Sequence, residues 1–320
     1  LTGGTDHFGG PVVLDLKSAA SVVAALEAGA EANRRSACRA GSIDVVRAPG
    51  RLIATGDLHD NPVHFARVVR AAGLGDAPGI PSGFADEAPG GARGPAGEPA
   101  HLTLHELIHG GNLLNGMDFS YRALVRAAAL KARHPEHVHV LLANHELSQI
   151  KGAGILKHGV RVVDAFNDAV DFVFGDDAGA VHGAIAGFVR SMPVALRCVC
   201  PQGDILCAHS VPGPAMMPRF DSSVLSRDLT EEDYEPRRGA ASMLVWGREY
   251  DADQLEDLTE RWGINLFILG HEHAPDGVSV IEPNAVVLNS DHEHGVYLEI
   301  DLSNKPRARE CPGLAVRLGD

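Results

Sequence analysis

Asp57-Leu58-His59, Asn144-His145-Glu146, His209 and Gly270-His271-Glu272-His273 form a series of carboxylates, imidazoles and one amide along the chain. Each group follows a short apolar run, such as residues 51–55 or 266–269. Strands that end in polar side chains deliver them to one edge of an open α/β sheet, where such sheets build their sites. Hard oxygen mixed with imidazole is a donor set that suits a pair of divalent transition metals.

The elements that must carry these groups can be read from pattern. Ala19, Val22, Val23 and Leu26 give a helical stripe within an expected helix of residues 17–33. Residues 43–46 and 51–55 read as strands around the turn Ala48-Pro49-Gly50. Asn61 can cap a helix and Pro62 suits its first position, so a helix is expected to run on to Leu74. Residues 102–107 alternate and read as a strand ending near Glu106, and Tyr121, Leu124, Val125 and Ala128 mark a helix reaching about Arg133. Residues 138–143 are continuously apolar, as in a strand covered on both faces. Residues 147–190 are expected to be helical, broken at Gly152, Gly154 and Gly175. A hairpin is expected over 194–199 and 204–208, a Pro- and charge-rich loop over 212–240, and a helix through Leu255, Leu258 and Trp262. Strands are expected at 265–269, 278–282, 285–289 and 295–301. Residues 75–100 are rich in Gly, Pro and Ala, show no period, and read as a flexible surface insertion.

Composition bounds the function. A chain of 320 residues with 45% hydrophobic residues can bury a substantial core, and a single domain over residues 1–320 is expected. The net charge of −14 repels phosphate backbones, so nucleic acid is not an expected partner. No apolar run approaches about 18 residues, so no membrane span is expected. The opening residues lack a basic region followed by an apolar stretch, so no secretory signal is expected. Five scattered cysteines, including Cys198-Val199-Cys200, read as reduced thiols of a cytoplasmic protein.

The order Gly56-Asp57-Leu58-His59, Glu106, Asn144-His145-Glu146, His209 and Gly270-His271-Glu272-His273 resembles the calcineurin-like metallophosphoesterase superfamily, over about residues 50–301. Asn144-His145-Glu146, Trp246-Gly247-Arg248 and the tail from Leu288 to Gly295 are similar to its Ser/Thr protein phosphatase branch. There are departures. Where that branch carries Gly-Asp-x-x-Asp-Arg-Gly, this chain has His105-Glu106-Leu107-Ile108-His109-Gly110. Glu106 replaces the bridging Asp, His109 stands where the second Asp would be, and the phosphate-binding Arg is absent. Asp60 replaces the Gly after the first His, and Ala143 the Gly before Asn144.

The resemblance implies a four-layer fold of class α/β, a two-sheet β-sandwich flanked by helices. It implies two divalent or mixed-valence metal ions, drawn from Mn, Fe, Zn or Ni. Asp57, His59 and His273 would hold the first, Asn144, His209 and His271 the second, and Glu106 would bridge them. A hydroxide shared by the metals would attack phosphorus, and His145 would protonate the leaving oxygen. Glu146 or His109 would orient His145. Arg248 would bind a phosphate oxygen, unless it pairs with Glu249 or Asp251. His292 and His294 would face the substrate, form part of a solvated loop, or make an additional metal site.

The implied activity is hydrolysis of phosphate monoesters, as small molecules or phosphoproteins. A phosphodiesterase or nucleotide hydrolase on the same site is the alternative. The altered Glu106–His109 segment also allows a weakly active metal-binding scaffold. His64, His101, His158 and His182 read as satisfied polar residues, and His134, His137 and His139 as a solvated helix end leading into a strand.

Overall fold

In the computed structural model, residues 14–81, 98–157 and 159–319 are described. The chain begins with α1 (Ala19–Arg35), β1 (Arg39–Ala40), β2 (Ile43–Arg47), β3 (Arg51–Thr55), α2 (Pro62–Ala71), β4 (His101–Leu104), α3 (Tyr121–Arg133) and β5 (Val138–Val140). The middle holds α4 (Asn144–Lys151), β6 (Leu156–Lys157), β7 (Val160–Arg161), α5 (Val162–Phe174), α6 (Ala178–Ser191), β8 (Ala195–Val199) and β9 (Asp204–Ala208). The last part holds α7 (Ala240–Val245), α8 (Ala252–Trp262), β10 (Ile264–Leu269), β11 (Val278–Ile281), β12 (Ala285–Leu288), β13 (Val296–Asp301) and β14 (Ala315–Arg317).

The strands form one sheet in the order β1-β2-β8-β9-β10-β12-β11 and a second in the order β14-β13-β3-β4-β5. Period-two alternation sorts their side chains. Leu52 and Ala54, Leu196 and Cys198, Ile205 and Cys207, Leu266 and Ile268, Val286 and Leu288, and Leu298 and Ile300 pack into one cluster drawn from both sheets. That cluster is the inside of the sandwich. Their neighbours Ile53, Leu102, Leu104, Leu206, Phe267 and Val287 face the other way and pack with helical residues such as Val22, Leu26, Val68, Leu124, Phe188 and Leu255. Each fully buried Leu or Ile in these layers contributes about 1.5–3 kcal/mol of transfer free energy.

Capping chemistry fixes helix starts near the site. Asn61 Oδ1 accepts the His64 amide at 3.1 Å, with Pro62 at the first helical position of α2. Asp251 Oδ1 accepts the Gln254 amide at 2.8 Å to begin α8, which ends at Gly263 with φ 67°.

The structure revises several expected boundaries. The expected strand 102–107 leaves the ladder after Leu104, and 138–143 after Val140. The Leu141 amide still donates to Leu104 O at 2.8 Å, but Leu142 donates to Pro193 O at 2.8 Å. Both segments bend away from their sheet to reach the site. The break at Gly152 and Gly154 holds a small hairpin, β6–β7, between α4 and α5. The region 212–240 carries only short 3-10 turns, while α7 and β14 were not expected from the sequence. Residues 82–97 of the expected insertion, and His158, lie outside the described residues.

His139 does not belong to a solvated helix end. It is fully buried, with Nδ1 2.7 Å from Asp44 Oδ2. Arg39 Nε donates to Asp44 Oδ1 at 2.9 Å, Lys131 Nζ lies 3.9 Å from Oδ2, and His101 Nδ1 lies 3.2 Å from His139 Nε2. Burial alone would raise the Asp44 pKa, but its His139 hydrogen bond and the Arg39 and Lys131 cations bring it to about 2. Burial lowers the pKa of His139, against the pull of the Asp44 carboxylate that its Nδ1 faces. His64 is buried too, with Nδ1 2.7 Å from Ser290 O, and His182 pairs with Asp171 at 3.0 Å. The five cysteines are all free, and four are buried. No helix of the described residues is long and apolar enough to cross a membrane.

Candidate metal centre

The site is assembled from turns that leave the sheets. Asp57 follows β3, and its backbone bridges His105 on one side and Asn289 on the other. The tail crosses behind it: Ser290 N donates to Asp57 O at 3.0 Å, and Ser290 Oγ accepts the Gly56 amide at 2.8 Å. Glu106 follows β4, Asn144 and His145 open α4, His209 follows β9, and His271 follows β10. The His271 amide donates to both Asp57 carboxylate oxygens at 3.1 Å.

Backbone strain collects here. His59, Asp60, Glu106, His109 and His271 have φ of 42°, 51°, 47°, 59° and 68°. Each such conformation costs of order 1–3 kcal/mol for a non-glycine residue and persists only where its surroundings hold it. Asp60 holds a left-handed backbone that glycine would adopt without strain. Between these turns, the His59 amide donates to Glu106 O at 2.8 Å and Asp60 to Leu107 O at 2.8 Å.

The side chains meet at Glu106. Its Oε1 lies 3.1 Å from His59 Nε2 and 3.8 Å from His145 Nε2, and its Oε2 lies 2.8 Å from His209 Nε2. His209 Nε2 is also 2.7 Å from Asn144 Oδ1 and 3.1 Å from His271 Nδ1. A single proton on His209 Nε2 serves one of these neighbours. A cation among them serves all. Glu106 Oε2 is buried and, although 2.8 Å from His209 Nε2, makes no well-formed hydrogen bond among the described residues, as befits an atom meant for a metal. Glu106 also belongs to the group with His59 and His145 and to the group with His209 and His271. The donors present therefore fit divalent metal.

His105 is not among the residues the sequence singles out, yet it sets the orientation of His209. Its Nε2 lies 2.8 Å from Thr55 O, an acceptor, so Nε2 carries the proton. Its Nδ1, a lone pair, lies 3.2 Å from His209 Nδ1. His209 then donates from Nδ1 and turns Nε2 toward Asn144 and Glu106. His59 is held the same way, with Nδ1 3.0 Å from Ile108 O and Nε2 toward Glu106. Such outer partners fix the tautomer of metal-binding imidazoles. Alternation along β4 was the available signal: Leu102 and Leu104 face the helices, so Thr103 and His105 face inward.

The protonation pattern marks a site that gathers positive charge. Burial lowers the His59 pKa, but the Glu106 carboxylate outweighs it and raises it to about 9. His209 is likewise raised to about 10 by Glu106 and Asp57 despite its burial. Burial, with the His209 charge, lowers His271 to about 3. Burial and Glu106 push Asp57 up, while the hydrogen bond and charge of His209 bring it below the usual carboxylate range. Burial lowers His145 to about 4.

The other expected residues divide. The His109 ring is 5.2 Å from that of His145, and its Nε2 is 3.1 Å from Gln149 Oε1. Glu146 points elsewhere: its Oε1 accepts the Leu107 amide at 2.8 Å, which holds the turn carrying Glu106. Burial and Glu106 raise the Glu146 pKa to about 7. Trp246 stands edge-on to His271 at 5.8 Å. Arg248 is exposed, is in no ion pair among the described residues, and is near enough for its charge to act on His271. The structure does not bring His273 to the cluster. It is exposed and outside the grouped donors, 6.2 Å from the His292 ring, because the chain turns outward after His271. His292 and His294 lie with it at the outer rim, where the His294 amide donates to His292 Nδ1 at 3.1 Å.

No curated protein matches the chain. Among solved structures, a protein serine/threonine phosphatase from Saccharomyces cerevisiae with similarity to human phosphatase PP5 superposes with TM-score 0.60 and 15% identity, covering 89% of this chain and 83% of that one. A cold-active protein-tyrosine phosphatase of a psychrophilic Shewanella species gives TM-score 0.53 and 12% identity, covering 80% and 77%. At these identities the likeness is one of fold. Residues 50–275 match the family described as calcineurin-like phosphoesterase, which is more than half of the sequence. The chain belongs to the calcineurin-like phosphoesterase family and is a hydrolase of phosphoesters.

Proposed function

We propose that the chain is a phosphomonoesterase that works with two divalent metal ions, held by Asp57, His59 and Glu106 on one side and by Glu106, Asn144, His209 and His271 on the other. The observation that carries this reading is the meeting of Asn144 Oδ1, Glu106 Oε2 and His271 Nδ1 within 2.7–3.1 Å of His209 Nε2. Mn, Fe, Zn and Ni all suit these donors. Bound there, such ions polarise a phosphoryl oxygen and lower the pKa of water from about 15.7 to about 7, which supplies a nucleophile at neutral pH.

The chain's own residues do the rest. Asp57 and Glu106 concentrate negative charge among buried side chains and draw cations to it. His105, Thr55 and Ile108 hold the ligand rings in the tautomers that binding needs. His145, at the edge of the cluster, is placed to hydrogen-bond the leaving oxygen and, in its imidazolium form, to protonate it. His109, tied to Gln149 and packed on His145, limits the rotation of that ring. Arg248 binds a phosphate oxygen, because guanidinium matches it bidentately. His292 and His294 contact the rest of the substrate at the rim. The substrate is a phosphorylated small molecule or phosphoprotein. The two phosphatase folds named above motivate phosphoserine, phosphothreonine and phosphotyrosine peptides as probes.

The test compares turnover of p-nitrophenyl phosphate, bis(p-nitrophenyl) phosphate and these phosphopeptides after metal removal and re-addition. Metal-dependent hydrolysis of the monoesters, lost in His145→Ala, is expected. Preference for the bis ester would assign a phosphodiesterase instead, and no metal-dependent hydrolysis of any ester would leave a metal-binding scaffold.

A further inference from the structure

We propose that Lys157 is a phosphate-binding residue of this site, supplied by the β6–β7 hairpin. The proposal rests on the phosphoesterase reading and adds to it an anion contact on the side of His145. The hairpin is small: Leu156 and Lys157 pair with Arg161 and Val160, and Gly159 at φ 80° turns the chain. Alternation sends neighbouring side chains to opposite faces. Leu156 goes outward and is 69% exposed, so the hairpin is not there to bury it. Lys157 goes inward and is half-buried.

Its ammonium stops at the site. Lys157 Nζ donates to His109 O at 3.2 Å, and His109 is the residue whose ring packs on His145. The His109 ring lies 5.2 Å from that of His145, whose Nε2 is 3.8 Å from Glu106 Oε1, so the ammonium sits at the His145 edge of the cluster. No carboxylate pairs with Lys157 among the described residues. The chain's other half-buried lysine of this region, Lys151, has one: its Nζ lies 2.6 Å from Glu235 Oε1. An ammonium has three donors, and one is spent on the carbonyl. The remaining two, beside two imidazoles and without a counter-charge, suit an anion entering the cleft. A phosphoryl group is the anion this site is built for, and a lysine binds it as a point charge. Arg248, exposed and two residues from Trp246, which stands edge-on to His271, is the other cation proposed for the phosphoryl group. The two cations would hold the phosphoryl group between them.

The experiment uses the full chain loaded with Mn. Lys157→Gln and Lys157→Arg are compared with wild type for inhibition by inorganic phosphate, for KM and kcat with p-nitrophenyl phosphate, and for bound metal. Lys157→Gln is expected to raise the phosphate inhibition constant and KM about tenfold, equivalent to about 1.4 kcal/mol. Metal content should be unchanged, and Lys157→Arg should restore phosphate binding to within about threefold. Equal phosphate inhibition in Lys157→Gln and wild type overturns the proposal. So does loss of bound metal or of folding in Lys157→Gln, which would make the contact with His109 O purely structural. If wild type hydrolyses no ester, the phosphoesterase reading fails on its own. Phosphate titrated calorimetrically into the loaded protein then still decides whether Lys157 binds it.

Discussion

Gly270→Ala should damage the site out of proportion to its size. A methyl group on Gly270 would stand 2.6 Å from His105 Cε1 and closer still to Asp57 Oδ1, where ordinary contact begins at 3.4 Å. Both side chains must therefore retreat, His105 by about 0.8 Å and Asp57 by more. Neither is free to do so. His105 is fixed between Thr55 O and His209 Nδ1, and Asp57 accepts the His271 amide with both oxygens. Overpacking of this kind costs about 1–3 kcal/mol of stability. Misplacing a reacting group by about 1 Å costs about 10²-fold in rate. The assay is kcat/KM for p-nitrophenyl phosphate with metal, alongside thermal unfolding and bound metal measured on the same preparation. A folded variant with about a hundredfold lower kcat/KM is expected. Turnover within threefold of wild type in a folded Gly270→Ala would refute the packing of Asp57 and His105 against this glycine as the determinant of their positions.

The same geometry gives three further outcomes. Glu106→Asp should keep partial activity, because the shorter side chain must pull its turn inward, whereas Glu106→Ala should abolish metal-dependent turnover; a fully active Ala variant would rule out a shared ligand. His105→Phe should weaken metal binding about 10–100-fold by freeing the His209 tautomer, read by competition with a chelating dye, while unchanged affinity would remove His105 from that role. Asp44→Ala should cost about 3–5 kcal/mol in denaturant unfolding, because Arg39 and Lys131 lose their buried partner, and should leave turnover per folded molecule intact. The lowered Asp44 pKa also gives a pH signature: its stabilising effect is complete above about pH 4 and is lost as pH falls through about 2, a loss of about 2 kcal/mol that the variant should not show.

Much of the architecture was legible because strands announce themselves by alternation and by the polar groups at their carboxyl ends. The strands ending before Asp57, His209 and His271 were readable as apolar runs, and Asn61-Pro62 announced α2 in advance. Boundaries failed where the chain leaves its ladder to form the site. Residues 105–109 and 141–143 keep an apolar or alternating pattern because they are buried, yet they are turns, so pattern alone extends the strands too far. His273 illustrates a different limit. Two residues after His271 puts a side chain on the same face only in a strand, and β10 has already ended at Leu269. His139 looked like a solvated end because its partners Asp44, Arg39 and His101 are far away in sequence. Lys157 gave no signal at all, since a two-residue strand has no readable period.

Elemental analysis of the purified protein, after loading with metal and exhaustive desalting, tests the central claim most directly. Two equivalents of a divalent transition metal per chain in the wild type are expected, falling to one or fewer in His209→Ala, with turnover abolished by a chelator and restored by re-addition. A wild-type chain that retains no stoichiometric metal, or that hydrolyses phosphate esters equally well with the chelator present, would contradict it.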